Sequence, residues 1–166
     1  MRGNSNNGRF HDRDYRWSGH FLITILAYKR QRLFSEIIKG HQELYPIGEI
    51  IKKEWINTEI VRAYMNVKVG AFVIMPDHFH GILYIGRNEF NSGPTYEMKT
   101  NSFGPQSNNL GSIIRGLKSS VTVGARGLGI TEKIWQPRYN ERWLRSEAEV
   151  NEATWYIRNN PKRWKG

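Results

Sequence analysis

Met75-Pro76-Asp77-His78-Phe79-His80-Gly81-Ile82-Leu83-Tyr84-Ile85 decides the fold, because it reads as a turn running into a strand. Proline presets φ at Pro76, and Asp77 can bond its own backbone two residues on, which is turn chemistry. From His78 onward the side chains alternate between two faces. His78, His80, Ile82 and Tyr84 share one, and Phe79, Gly81, Leu83 and Ile85 share the other. Two imidazoles two residues apart on one strand face either converge on a divalent ion or pack as ordinary strand histidines. This pair opens its strand beside a turn, where sites gather on loop edges, and that favours the metal.

Moving outward, Val67 to Met75 is a second long apolar run, and the two runs make a hairpin across Pro76-Asp77. Upstream, Phe21-Leu22-Ile23-Thr24-Ile25-Leu26-Ala27 is a β-prone strand. Between Leu33 and Tyr45 a short hairpin is expected, with Gly40 at its turn. A helix over about 48–65 follows Pro46, from the spacing of Ile50, Ile51, Trp55, Val61 and Met65.

Downstream, residues 87–108 are rich in Asn, Ser, Gly and Pro without a period, and predict a mobile loop. A helix over about 109–124 buries Leu110, Ile113, Ile114, Leu117 and Val121, and Gly124, Gly127 and Gly129 end it. Arg115, Lys118 and Thr122 lie three and four apart on another face, a spacing that suits phosphate contacts or an ordinary solvated surface. Residues 134–145 interleave aromatics with Arg138, Arg142 and Arg145, and predict an irregular or edge strand, since Pro137 cannot donate to a ladder. The last helix begins with Ser146 as N-cap and Glu149 three later, a capping box, and Pro161 is expected to end it. Val150, Ala153, Thr154 and Ile157 form its inward stripe. Tyr156 sits at the flank of that stripe, with Asn160 one turn on. Taken alone, Tyr156 is an ordinary boundary tyrosine, ring packed and hydroxyl wet.

The chain has 166 residues, enough for one domain with a core, read as a single domain over 17–166 behind a flexible basic arm at 1–16. Lys+Arg 25 against Asp+Glu 15 gives a net charge of +10, which favours an anionic partner, nucleic acid first. The absence of cysteine excludes disulfides, thiolate metal sites and cysteine nucleophiles, and fits the cytoplasm. No apolar run approaches the ~20 residues of a membrane span, so no membrane partner is expected. The elements run strand, helix, strand, strand, helix, late strand, helix. That order predicts an α+β fold: a ferredoxin-like antiparallel sheet with helices packed on one face.

Four blocks then appear in a fixed order: Met75 to Ile82, Gly111-Ser112-Ile113-Ile114-Arg115-Gly116-Leu117-Lys118-Ser119, Ile134-Trp135-Gln136-Pro137-Arg138-Tyr139, and Trp155-Tyr156-Ile157-Arg158-Asn159-Asn160-Pro161. The first resembles the His-hydrophobe-His motif of single-strand tyrosine transposases. Together they resemble the REP-associated tyrosine transposases, over about residues 18–164. The resemblance implies a magnesium- or manganese-dependent nuclease and strand-transferase acting on single-stranded or hairpin DNA through a 5′-phosphotyrosine. It implies His78 and His80 as metal ligands, Tyr156 as nucleophile, and Asn160 as a third ligand. Tyr139 is the rival nucleophile. Arg115, Lys118, Arg138, Arg142 and Arg145 are the expected DNA contacts, with the basic residues Arg158, Lys162, Arg163 and Lys165 beside them. Trp135, Tyr139 and Trp143 are candidates to stack on bases, two of the three being expected in the core. Two other readings stand beside this one: a hairpin-DNA-binding protein without turnover, and a His-x-His metallohydrolase of small molecules. The resemblance leaves monomer and homodimer both open.

Overall fold

A computed structural model describes residues 19–86 and 110–166, so the arm expected at 1–16 and the loop expected at 87–108 lie outside the described residues. The first strand, β1, spans Gly19–Leu26. A short hairpin follows, β2 at Ser35–Ile38 and β3 at His41–Leu44, turning through Lys39 (φ 51°) and Gly40 (φ 79°). Helix α1 covers Pro46–Val61, β4 covers Lys68–Met75 and β5 covers His78–Ile85. Helix α2 runs Leu110–Gly127, β6 runs Asn140–Leu144, and helix α3 runs Glu147–Arg163.

Four of these strands form one sheet in the order β4-β5-β1-β6, and every neighbouring pair is antiparallel. The chain visits it as strand, helix, strand, strand, helix, strand, with its first and third strands in the centre. This is the ferredoxin-like arrangement that the order of elements predicts. The register aligns Leu26 with His78 and Thr24 with His80 on one side of β1, and Thr24 with Asn140 and Leu22 with Arg142 on the other.

Alternation along the strands sorts two cores. Phe21, Ile23, Ile25, Phe79, Leu83 and Ile85 bury against α1 and α2. The other face carries Val73, Met75, Ile82 and Leu144, buried with Ala153 and Ile157 of α3. Thus α1 and α2 share one face as expected, while α3 covers the opposite face. The physical reason is that β4 and β5 are apolar on both sides, and a single layer of helices would leave one side wet.

Close approach explains two glycines. A Cβ on Gly81 would lie 2.7 Å from the rings of both Phe79 and Trp55, so the glycine seats the indole of α1 against the sheet. A Cβ on Gly124 would meet Ile50 at 3.0 Å, so Gly124 keeps α1 and α2 in contact, and α2 runs through it to Gly127. Helix α1 ends earlier than expected, at Val61. A short 3-10 turn at Ala63–Met65 follows, closed by Asn66 in the left-handed region at φ 50°. Helix α3 continues through Pro161, because proline in the last turn forfeits only one backbone bond. The residue that follows the helix, Trp164, packs against the second core and holds the end in place.

Candidate active site

The turn between β4 and β5 sets the site. Asp77 accepts a hydrogen bond from the Ala27 amide through its carbonyl, at 2.9 Å, which ties the turn to the end of β1. Its carboxylate then joins two partners. Oδ1 lies 2.6 Å from His78 Nδ1, and Oδ2 accepts from Arg30 Nε at 2.9 Å. Arg30 and Lys29 sit in the left-handed region, at φ 55° and 51°, and that sharp turn after β1 brings the guanidinium back onto the carboxylate. One residue pair along the sheet, His80 Nδ1 lies 2.8 Å from Thr24 Oγ1. Each imidazole therefore commits Nδ1 to an oxygen. With Nδ1 protonated, each ring keeps its lone pair on Nε2, the tautomer in which a histidine ligates a metal.

The two rings meet edge to face, with centroids 4.6 Å apart. Both are buried, at 9% and 7% exposure. Burial pushes His80 down to about 3, helped by the positive charge of His78 and Arg30. Burial also lowers His78, against the opposing pull of Asp77. Burial alone raises the Asp77 carboxyl, but the hydrogen bonds from His78 and Arg30 outweigh it and leave the group lowered. The pair is accordingly neutral near pH 7, as ligation requires.

Helix α3 brings Tyr156 to this pair. Its ring contacts His80 edge to face at 5.4 Å, while the residue stays 40% exposed. Thus the ring meets a histidine while part of the residue stays open to solvent. Trp164, just past the helix, lies 6.3 Å from His78 between ring centroids and takes the Arg32 guanidinium over its ring at 5.7 Å. Asn160 is half-buried one turn beyond Tyr156, on the same side of α3. Tyr139 is buried at 7% in the core on the α1 and α2 face, away from the histidine face. Trp135 joins it there, and Trp143 packs at that core's edge.

The expected DNA contacts divide. Arg142 is exposed on the edge strand β6, and its partner Leu22 belongs to the histidine face, so Arg142 shares that face. Arg138 is exposed in the segment before β6 and adopts φ 69°. Arg145 lies over the Trp143 ring at 5.0 Å. Arg115 is exposed on α2, a helix of the opposite face. Lys118 is engaged within the protein: its ammonium donates to the carbonyls of Gln136, at 2.9 Å, and Arg138. It acts as a clamp on the segment that leads into β6.

Among the described residues no group of three His, Asp or Glu side chains gathers as a metal cluster. The side chains that could hold a metal at this turn are the two imidazoles of His78 and His80. Sequence reasoning does not single out Thr24, Arg30 and Asp77 as site residues: Thr24 reaches His80 through strand register and Arg30 reaches Asp77 through a left-handed turn, neither of which local sequence displays.

No family model matches the chain. An uncharacterized protein of Haemophilus influenzae is 33% identical over 155 residues, covering 91% of this chain and 84% of that protein. Among solved structures, a REP-associated tyrosine transposase bound to a REP hairpin matches with a TM-score of 0.61 at 19% identity, over 93% of this chain and 73% of that one.

Proposed function

From a chain that belongs to one family with the Haemophilus influenzae protein and has a REP-associated tyrosine transposase-like fold, we propose a hairpin-directed single-strand DNA endonuclease and strand-transferase. The observation that carries the reading is the contact of Tyr156 with His80, 5.4 Å between rings, beside a histidine pair whose Nδ1 atoms are both engaged. A half-exposed tyrosine against two neutral imidazoles suits attack on a phosphodiester. A small-molecule hydrolase would need neither a net charge of +10 nor a tyrosine at that position.

His78 and His80 would hold Mg²⁺ or Mn²⁺ through Nε2, with Asn160 as the third ligand. When bound, the ion neutralises charge developing on the phosphate oxygens. The chain's own residues do the rest. Asp77, braced by Arg30, fixes the His78 ring, and Thr24 fixes His80. Tyr156 Oη attacks the phosphorus and loses its proton to solvent. The P–O3′ bond breaks, and the leaving 3′ oxygen takes up a proton. The products are a 5′-phosphotyrosine and a free 3′-hydroxyl. A second 3′-hydroxyl reverses the step, so the strand is rejoined without an external energy source. Hairpin DNA is the substrate class because the transposase of this fold is bound to one.

The test is labelled hairpin DNA with a single-stranded flank, incubated with Mn²⁺ and separated under denaturing conditions. Wild type should form a covalent adduct whose digested peptide carries the nucleotide on Tyr156. Tyr156→Phe should fold and bind DNA yet form none, and His78→Ala or His80→Ala should lose the adduct with binding retained. An adduct on Tyr139, or one undiminished in Tyr156→Phe, would overturn the assignment. Binding without any adduct in wild type would leave a hairpin-binding protein instead.

A further inference from the structure

Beside the histidine face lies a pocket of about 180 Å³, lined by Leu26, Gln136, Pro137, Arg138, Tyr139 and Asn140. We infer that this pocket takes one unpaired nucleobase of the DNA strand, adjacent to the phosphate that Tyr156 attacks. The inference rests on the nuclease reading above for its ligand, and on the pocket for its position and chemistry.

Position comes from the register. Leu26 is paired directly with His78, and directly paired residues point to the same face with Cβ atoms about 5 Å apart. Asn140 is paired with Thr24, whose hydroxyl meets His80. Of the sheet residues of the pocket, Leu26 is thus one strand over from the two histidines and Asn140 two. A base seated there leaves its own phosphate within reach of the histidine face.

The pocket is held in shape. The Gln136 amide donates to the Leu26 carbonyl at 2.9 Å, and the Tyr28 amide donates to Ile134 at 2.8 Å. Lys118 binds the carbonyls on both sides of Pro137, and Trp135 Nε1 donates to the Lys118 carbonyl at 3.1 Å. Arg138 is kept at φ 69°, a conformation that a side chain adopts only when its surroundings impose it.

Size and chemistry select the ligand. Drug-sized ligands occupy roughly 300–1,000 Å³. This pocket is smaller and accepts one flat heterocycle. Besides the buried Tyr139 phenol, its polar side chains are two amides and a guanidinium, the groups that read base edges. Gln136 accepts from the Lys29 amide through Oε1 at 3.3 Å, so its NH₂ is the part that remains to donate to a base. With the Arg138 fork added, donors predominate. That favours the keto bases, guanine and thymine, over adenine and cytosine.

The experiment uses the full chain in EDTA, so that binding is read without cleavage. Hairpin oligonucleotides receive an abasic site at each flank position in turn, and Kd is measured by fluorescence anisotropy. Wild type should lose tenfold or more at one position next to the cleaved bond, and favour guanine or thymine there at least fivefold. Gln136→Ala/Asn140→Ala should show less than a twofold abasic penalty at that position. A wild type with no position-specific penalty overturns the pocket without recourse to any variant. So does a folded double variant, judged by its melting temperature, that keeps the whole penalty. Absence of a Tyr156 adduct removes the nuclease reading but leaves this binding result standing. An adduct with no base preference does the reverse.

Discussion

At the scale of single residues, burial governs the protonation of the site. His80 is driven down to about 3, His78 is lowered by the same cause, and His20, packed under Tyr84 on the same face, is lowered by burial too. In the unfolded chain these rings protonate near ~6.5. Below that value the unfolded state binds more protons than the native state, so native stability falls as pH falls. The contribution is complete above about pH 6.5 and is lost progressively toward the value of about 3 for His80. Burial raises the Asp77 carboxyl, but the hydrogen bonds from His78 and Arg30 outweigh it and hold the group below the usual carboxylate range. In metal-free buffer the urea midpoint should be level from pH 7 to 8 and clearly lower at pH 5, and His80→Asn should flatten that slope. A midpoint unchanged down to pH 5 would sink the account. The two histidines were legible in sequence from period-two alternation beside a turn, whereas Tyr156 stands out only through the resemblance of its block, because its place at the helix flank alone is that of an ordinary boundary tyrosine. Thr24 and Arg30 were not, since their roles exist only after β1 has paired with β5.

At the scale of elements, α3 matters most because it carries Tyr156. Its expected cap is formed: Ser146 Oγ accepts from the Glu149 amide at 3.2 Å, and Glu149 Oε2 accepts from the Arg145 amide at 2.6 Å. Ser146→Ala removes one partner from the first turn and should lower stability by about 1 kcal/mol. Tyr156 lies well beyond that turn, so its contact with His80 should survive. Thermal unfolding and amide hydrogen exchange check both halves: faster exchange in the first turn, and unchanged protection around Ile157. Equal loosening along the whole helix would show that the cap, and not packing of Ala153 and Ile157, holds α3 on the sheet. The capping box was readable because it is local chemistry. The overrun past Pro161 was not, because the anchor is Trp164 in a distant core. The irregular stretch before β6 was foreseen from Pro137. Among the described residues it bridges Trp135 to Ala27, and the regular pairing begins at Asn140.

At the scale of the whole molecule, the sheet separates the basic residues into two populations. The net charge of +10 predicts attraction to DNA but not where the strand runs, because a sum carries no geometry. Register supplies it. Arg142 lies across β1 from Ile82 by way of Leu22, on the histidine face, whereas Arg115 projects from a helix that covers the other side. If the strand follows the histidine face, the two arginines must respond differently to salt. Each phosphate contact releases counterions, so log K falls linearly with log salt, by about 0.7 per neutralised phosphate on single strands. Arg142→Ala should therefore weaken hairpin binding and reduce that slope by about one contact. Arg115→Ala should change the slope by markedly less. Anisotropy titrations between low and moderate salt measure both. Equal reductions would mean that DNA contacts both sides of the sheet. A reduction confined to Arg115→Ala would place the strand on the α1 and α2 face, and Tyr156 could then not reach it.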